Sequence, residues 1–268
     1  MHGRKIAVRK IFFYMVLVSC SIIWVAPILI AFDKSFMING LKNYWFVLTY
    51  EKIKYYQVIA NSMIVAVSCA FIVGLVTTLG GYAFSKMHFR GNNILYLMIL
   101  SCLAVPVAAV TMPLFVTIKR MHLIDTRLGL IIPLVAFNAP MMLMMVKNYF
   151  DSIPNELLES AKIDGASSLS VYRHIMMPLS GPILANVLVL TFIYTWNDYL
   201  IPLLVVRTNP RYTVTLAAQY FMSTTFQSPT DVARIYAAML LLTVPSIIVY
   251  LFSQKYLQAG ITAGAVKG

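Results

Sequence analysis

The sequence predicts an all-α polytopic membrane protein with six transmembrane helices. Three observations predict it. Of its 268 residues, 60% are hydrophobic and only 11% are charged, where a soluble domain carries about 25% charged residues. The apolar residues gather in runs of about 20, the helical length that crosses a hydrocarbon core about 30 Å thick. No run alternates apolar and polar residues as a barrel strand does. So apolar a chain cannot cover a folded surface with polar groups, which excludes a soluble globular protein and a disordered one.

In chain order the spans are Ile11–Phe32, about Ser62–Ala83, Ile94–Ile118, Leu128–Val146, Pro182–Val206 and about Ala233–Phe252. Apart from Asp198 in the fifth and Arg234 at the edge of the sixth, they contain no Asp, Glu, Lys or Arg. The first span follows Arg4, Lys5, Arg9 and Lys10, a charge pattern that signal peptides share. Leu17-Val18-Ser19-Cys20 also resembles a lipoprotein cleavage site. The chain stays apolar through Ser21–Val25, however, and the run is too long for a signal core, so an uncleaved first helix is expected.

Six crossings place both termini on one side. Basic residues divide almost equally between the two sides, and the N-terminal cluster favours an N-inside orientation. The loop of about residues 147–181 then faces the cytoplasm. Besides Pro182, which opens the fifth span, seven prolines fall within spans: Pro27, Pro106, Pro113, Pro133, Pro140, Pro202 and Pro245. An interior proline removes a backbone hydrogen bond, and the break needs neighbouring helices or water to compensate. Such a set suits either a packed bundle lining a pathway or kinked structural helices. Cys20, Cys69 and Cys102 all sit in apolar runs and are expected to be small core residues.

The net charge of +12 does not indicate nucleic acid. The basic residues occur in short clusters between apolar runs, where they suit anionic lipid head groups. No catalytic constellation stands out. His2, His88, His122 and His174 are too dispersed for a metal site, and the glycine-rich stretch from Gly74 to Gly81 lacks the lysine of a phosphate-binding loop. If the protein uses ATP, another chain must bind it. The single intramembrane acid argues against a proton-coupled carrier, which needs ionisable relays.

The informative segment follows the fourth span, from Ser152 to Gly165. Pro154 suits a first helical position, Glu156 a first turn and Gly165 the residue just past a helix end. That predicts a helix of about eleven residues. Leu157, Leu158 and Ala161 are expected on one face, with Glu159 and Lys162 on another. Such a helix is marginal alone in water and wants a partner groove. A second short helix should follow, capped by Ser167 or Ser168 and ended by Pro178. On physics alone, an interfacial amphipathic hairpin explains the segment equally well.

Glu159-Ser160-Ala161, then Gly165, then Ile175-Met176-Met177-Pro178, resembles the signature of permease subunits in binding-protein-dependent ABC importers. Ser160 and Met177 replace that signature's Ala and Leu. Further stretches resemble the carbohydrate branch and its MalG-like maltose-permease subunits. They are Gly81–Lys86 with Phe89-Arg90-Gly91, Trp196-Asn197-Asp198-Tyr199, and the tail Gly260–Gly268. The resemblance covers essentially the whole chain.

The resemblance implies a type I ABC importer permease fold. It divides the chain into residues 1–57 (cytoplasmic N-terminus, first helix and short external loop), a core of 58–252 with its coupling loop 147–181, and a cytoplasmic tail, 253–268. It implies that Glu156, Leu157, Leu158, Glu159, Ser160, Ala161, Asp164, Gly165, Ile175 and Pro178 couple to a cytoplasmic ATPase. Gly264, Val266, Lys267 and Gly268 would reach the interface of that ATPase dimer, which itself binds ATP and Mg. The chain is then a non-catalytic transport subunit of a bacterial cell membrane, with both termini cytoplasmic. Its expected partners are a second, homologous permease, an extracytoplasmic sugar-binding protein and membrane lipid, and its expected solute is a sugar. A glycerol phosphate or a polyamine is the alternative solute, and an autonomous secondary transporter the alternative class.

Asp198 has two readings. A charge inside a span costs at least about 2.5–3.5 kcal/mol on insertion scales, so it should face protein or water. Either it binds sugar hydroxyls while Trp196 stacks on a sugar ring, or it is a structural or gating group held by Asn197, Asn186 or a partner subunit. The resemblance favours the second.

Overall fold

The computed structural model describes residues 2–224 and 228–265, which form helices joined by short links, with no strand among them. The helices are α1 (His2–Phe36), α2 (Lys42–Thr49), α3 (Tyr55–Lys86), α4 (Asn92–Ser101), α5 (Val107–Arg120) and α6 (Arg127–Asp151). There follow α7 (Glu156–Ile163), α8 (Ser168–Val171), a π turn at Tyr172–Met176, α9 (Met177–Leu179) and α10 (Gly181–Asn197). The last are α11 (Leu200–Val205), α12 (Val214–Thr224) and α13 (Pro229–Ala265).

Among the described residues, four helices are long and apolar enough to cross a membrane unbroken: residues 12–36, 55–86, 127–151 and 229–254. The third expected span instead bends by 102° between residues 104 and 107, where Pro106 is extended and cannot donate to the preceding turn. The fifth does not run on to Val206. It stops at Asn197, and α11 begins after an extended Asp198. At its other end α10 meets the short helices before it at 77°. Counting each bent pair once gives up to six spans.

Of the seven span prolines, Pro106 alone lies at such a break. Pro27, Pro113, Pro133, Pro140 and Pro245 lie inside helices that continue past them, and Pro202 lies in the first turn of α11. The cysteines are free; Cys69 is buried as expected, whereas Cys20 and Cys102 are exposed on apolar helix surface.

The chain forms two compact units. One comprises residues 1–51 and 218–243. Within it, Asn43 Nδ2 donates to the carbonyls of Ser35 (2.9 Å) and Met37 (3.1 Å), tying α2 to the end of α1. The Arg234 guanidinium lies 3.9 Å from the Phe46 ring centroid, a cation–π contact. Between residues 12 and 34 no residue of α1 is buried, as suits a helix in lipid or against another subunit.

The other unit comprises residues 52–217 and 244–268 and is built on α3, α6 and α10 packed together. Gly81 permits a close approach of α3 to α6, since a Cβ there would collide with Val146. Two apolar clusters fill the unit. One joins Val65, Cys69, Leu130, Leu134, Ile201 and Val205 near the N-terminal end of α6. The other joins Val73, Tyr82, Met142, Val146 and Phe150 to Ile153, Leu158, Val171, Tyr172 and Met176. That second cluster carries the core of the unit into the segment after α6.

Candidate functional site

The chain from Asp151 to Gly181 forms a helical hairpin on the end of α6. Its first arm, α7, has eight residues rather than eleven. Pro154 lies just outside it and Asn155 takes the N-cap position. Glu156 and Glu159 sit in its first turn and Lys162 in its last, each favourable to the helix dipole. The Gly165 N–H bonds to the Lys162 carbonyl (3.0 Å) and the Ala166 N–H to the Ala161 carbonyl (3.0 Å). This Schellman pair satisfies carbonyls that a helix end would otherwise leave open. It requires a left-handed residue, and Gly165 has φ +81°.

The second arm starts at Ser167, whose hydroxyl accepts from the Ser170 N–H at 3.2 Å. Pro178 does not end it. The arm runs to Leu179, with a π turn from Tyr172 to Met176 and the break after Ser180.

The two faces of α7 separate by chemistry. Leu158 is buried in the core cluster, and Ala161 packs against it. Leu157 was expected beside them and is 48% exposed. At 100° per residue, its neighbour Leu158 occupies the buried direction and turns Leu157 away. Ile163 is 87% and Leu169 69% exposed. Glu156, Glu159, Ser160 and Asp164 are also exposed, as is Pro178, while Ile175 is half-buried against the core. The hairpin thus presents an outward surface of three carboxylates beside exposed apolar side chains, and its inner face is already occupied. Such a surface has the chemistry of a protein contact, and among the described residues no group of His, Cys, Asp or Glu could hold a metal ion.

Around Trp196 the acid has a structural contact within its own chain. Asp198 Oδ1 accepts from the Ile201 N–H at 2.9 Å, which makes it the cap of α11. Its backbone carbonyl accepts from Thr215 Oγ1 at 2.7 Å. Asn197 and Asn186 do not hold it. Asn197 donates to the Ile193 carbonyl (2.8 Å), and Asn186 is buried with its Oδ1 unpartnered among the described residues. Trp196 is 3% exposed and stacks on Phe192 one turn earlier, so no face of its indole is open to a sugar ring in this conformation. A lone acid in an apolar run was legible; that it would cap a new helix was not.

At the opposite end of α6 from the hairpin, Asp125 closes the link between α5 and α6 onto residues 207–208. It accepts from the N–H groups of Arg207 (2.9 Å) and Thr208 (3.2 Å) and from Thr208 Oγ1 (2.7 Å). Burial raises its pKa, but these bonds and nearby Arg211 outweigh that and hold it below the ordinary carboxylate value.

In the expected tail, α13 continues to Ala265, so Gly264 is helical. Glycine-rich residues extend a helix already nucleated by the apolar run before them, because propagation lacks the cost of initiation. Val266, Lys267 and Gly268 lie outside the described residues.

Comparison with known proteins bears on the whole chain. It is 31% identical over 241 residues to the arabinooligosaccharides transport system permease protein AraQ of Halalkalibacterium halodurans, covering 90% of this chain and 84% of that one. It is 30% identical over 253 residues to the trehalose/maltose transport system permease protein MalG of Thermococcus litoralis, covering 92% and 90%. With the trehalose transport system permease protein SugB of Mycobacterium tuberculosis, identity is 33% over 205 residues, covering 73% and 74%. A chain of a bacterial ABC transporter that imports the acidic polysaccharide alginate shares the fold, with a TM-score of 0.75 at 21% identity over 93% of this chain and 96% of that chain. Residues 70–263 match the family model for binding-protein-dependent transport system inner membrane components. On that match and those identities, the chain belongs to the family of binding-protein-dependent transport system inner membrane components, and its fold is that of a type I ABC importer permease.

Proposed function

We propose that this chain is a transmembrane permease subunit that carries a carbohydrate across the cell membrane by alternating access, driven by ATP hydrolysed on a partner ATPase. The observation that carries the reading is the α7 hairpin. One face is fused to the core of the α3–α6–α10 unit, and the other offers Glu156, Leu157, Glu159 and Ile163 to a partner. A groove on the ATPase that received this face would bias the bundle between two states through its differential affinity for them. The saccharide transport relatives support a sugar as the solute. The roles of Ser160, Ala161, Asp164, Gly165, Ile175 and Pro178 in coupling belong to the same reading.

The hairpin then faces the cytoplasm, and so do both termini. A sugar-binding protein delivers the solute on the other side, and a second, homologous permease completes the pathway. ATP and Mg bind the ATPase dimer, and this chain performs no catalysis. The test is uptake into vesicles holding the assembled complex. It should require internal ATP and the binding protein; uptake driven by an ion gradient without ATP would replace this reading with a secondary transporter.

The tail supplies a smaller prediction. Deleting residues 260–268 should lower uptake and stimulated ATP hydrolysis without reducing membrane insertion. A cysteine replacing Lys267 should crosslink to the ATPase dimer in at least one nucleotide state. Its failure to do so in every state would leave the tail without that role.

A further inference from the structure

The last turn of α3 is joined to the hairpin by polar contacts that its packing alone does not require. Lys86 Nζ donates to the Ile153 carbonyl at 2.6 Å and to Asn155 Oδ1 at 2.8 Å. Ile153 is the buried residue that precedes α7, and Asn155 is its N-cap. One residue earlier, Ser85 Oγ donates to Asp151 Oδ1 at 2.7 Å, while Asp151 Oδ2 accepts from Lys147 Nζ at 2.7 Å. Farther up α3, Thr78 shares a hydrogen bond of 3.0 Å with the Tyr172 hydroxyl, and Tyr82 packs on the Tyr172 ring. The helix therefore grips both arms of the hairpin, the first through Lys86 and the second through Tyr172.

Lys86 is unusual among these groups. Its ammonium makes no ion pair among the described residues; its acceptors are a carbonyl and an amide. A surface ion pair tolerates sliding, because attraction between exposed charges is weak and only loosely directional. An ammonium that bridges two neutral oxygens through directed hydrogen bonds fixes a position instead, and bonds to a charged group are stronger than neutral ones. Leu158 seats α7 on the core, but apolar contact is non-directional and permits a small slide.

We propose that Lys86 is a positioning residue that transmits displacement of α7 to α3, so that movement of the docked hairpin becomes movement of the α3–α6–α10 unit. This rests on the coupling role given to α7 above. Without the tie the hairpin still docks and the ATPase still turns over, but its stroke is absorbed between Ile153 and Lys86.

The experiment measures sugar transported per ATP hydrolysed in proteoliposomes holding the complete complex. Lys86→Met should lower that ratio by about tenfold, the scale of one lost hydrogen bond to a charged group. Complex yield and ATP hydrolysis should stay near wild type. Lys86→Arg keeps donors and charge and should recover part of the ratio. Asn155→Ala, at an exposed position, should lower the ratio less than Lys86→Met and serves if that variant fails to assemble. A wild-type ratio in Lys86→Met, or in Asn155→Ala where Lys86→Met does not assemble, overturns the proposal, as does an equal loss in the Met and Arg variants. Glu159→Lys, run beside them, isolates the underlying reading: if it leaves ATPase co-purification and uptake intact, α7 is not the coupling helix, whatever Lys86 does.

Discussion

Replacing Gly165 with valine is expected to abolish uptake while the membrane-spanning helices still insert. Beyond its two chain neighbours, no atom lies within 4 Å of where a Cβ would stand, so the loss has no steric source in the packing around it. It comes from the backbone. At φ +81° an L-residue loses about 1–2 kcal/mol, and a β-branched one loses more. An eight-residue helix has little stability to lose, and its anchor in the core is Leu158. The last turn should unwind and remove Ser160, Lys162 and Ile163 from the docking face. Gly165→Asn separates backbone from side chain, because asparagine tolerates the left-handed region, and it should retain most uptake. Equal activity of the two variants would defeat the argument. Glu159→Lys reverses a charge on the exposed face and costs the fold only its favourable place near the helix N-terminus, about 0.3–1 kcal/mol. Its uptake and ATPase co-purification should both fall sharply.

Asp198→Leu is expected to reduce complex yield or to uncouple ATP hydrolysis from uptake, with Asp198→Asn much milder. The structure makes the acid a helix cap. Removing a cap costs about 0.5–2 kcal/mol, roughly 2- to 30-fold in an equilibrium, and asparagine caps nearly as well as aspartate. The affected helix, α11, supplies Ile201 and Val205 to the apolar cluster at that end of the unit, so fraying would loosen packing as well. The measurement pairs purified complex yield with uptake of several sugars. A changed sugar preference in Asp198→Asn at unchanged yield would move Asp198 into the solute pathway.

How much of this was legible in the sequence depended on the range of the interactions. The straight spans were readable because a long apolar run admits few alternatives. The turn between the hairpin's arms was readable because Gly165 and Ser167 act locally, through their own backbone and cap geometry. The breaks were not: a hydropathy window is blind to an extended Asp198 inside an apolar stretch, and proline density does not say which proline turns the chain. α2 and α12 were missed because their short apolar segments resemble links between spans. Leu157 was placed on the wrong face, since two adjacent leucines leave the direction of a short helix open. Lys86 was flagged only through family resemblance. Its contacts with Ile153 and Asn155, 67 and 69 residues away, exist only once α3 and α6 are packed.

The break at Asp198 has a consequence for the membrane itself. With 17 residues at about 1.5 Å each, α10 is about 26 Å long, short of a hydrocarbon core about 30 Å thick. Hydrophobic mismatch of this kind is relieved by local thinning of the bilayer or by protein covering the shortfall. With α10 set across the bilayer, the extended Asp198 at its end would fall within that shortfall, where open backbone is tolerated only beside protein or water. Acyl-chain length therefore becomes a variable of transport: the rate in reconstituted bilayers should fall as the lipids lengthen and the joint is drawn deeper into hydrocarbon, and a flat profile across chain lengths would show the joint fully sheltered by its neighbours.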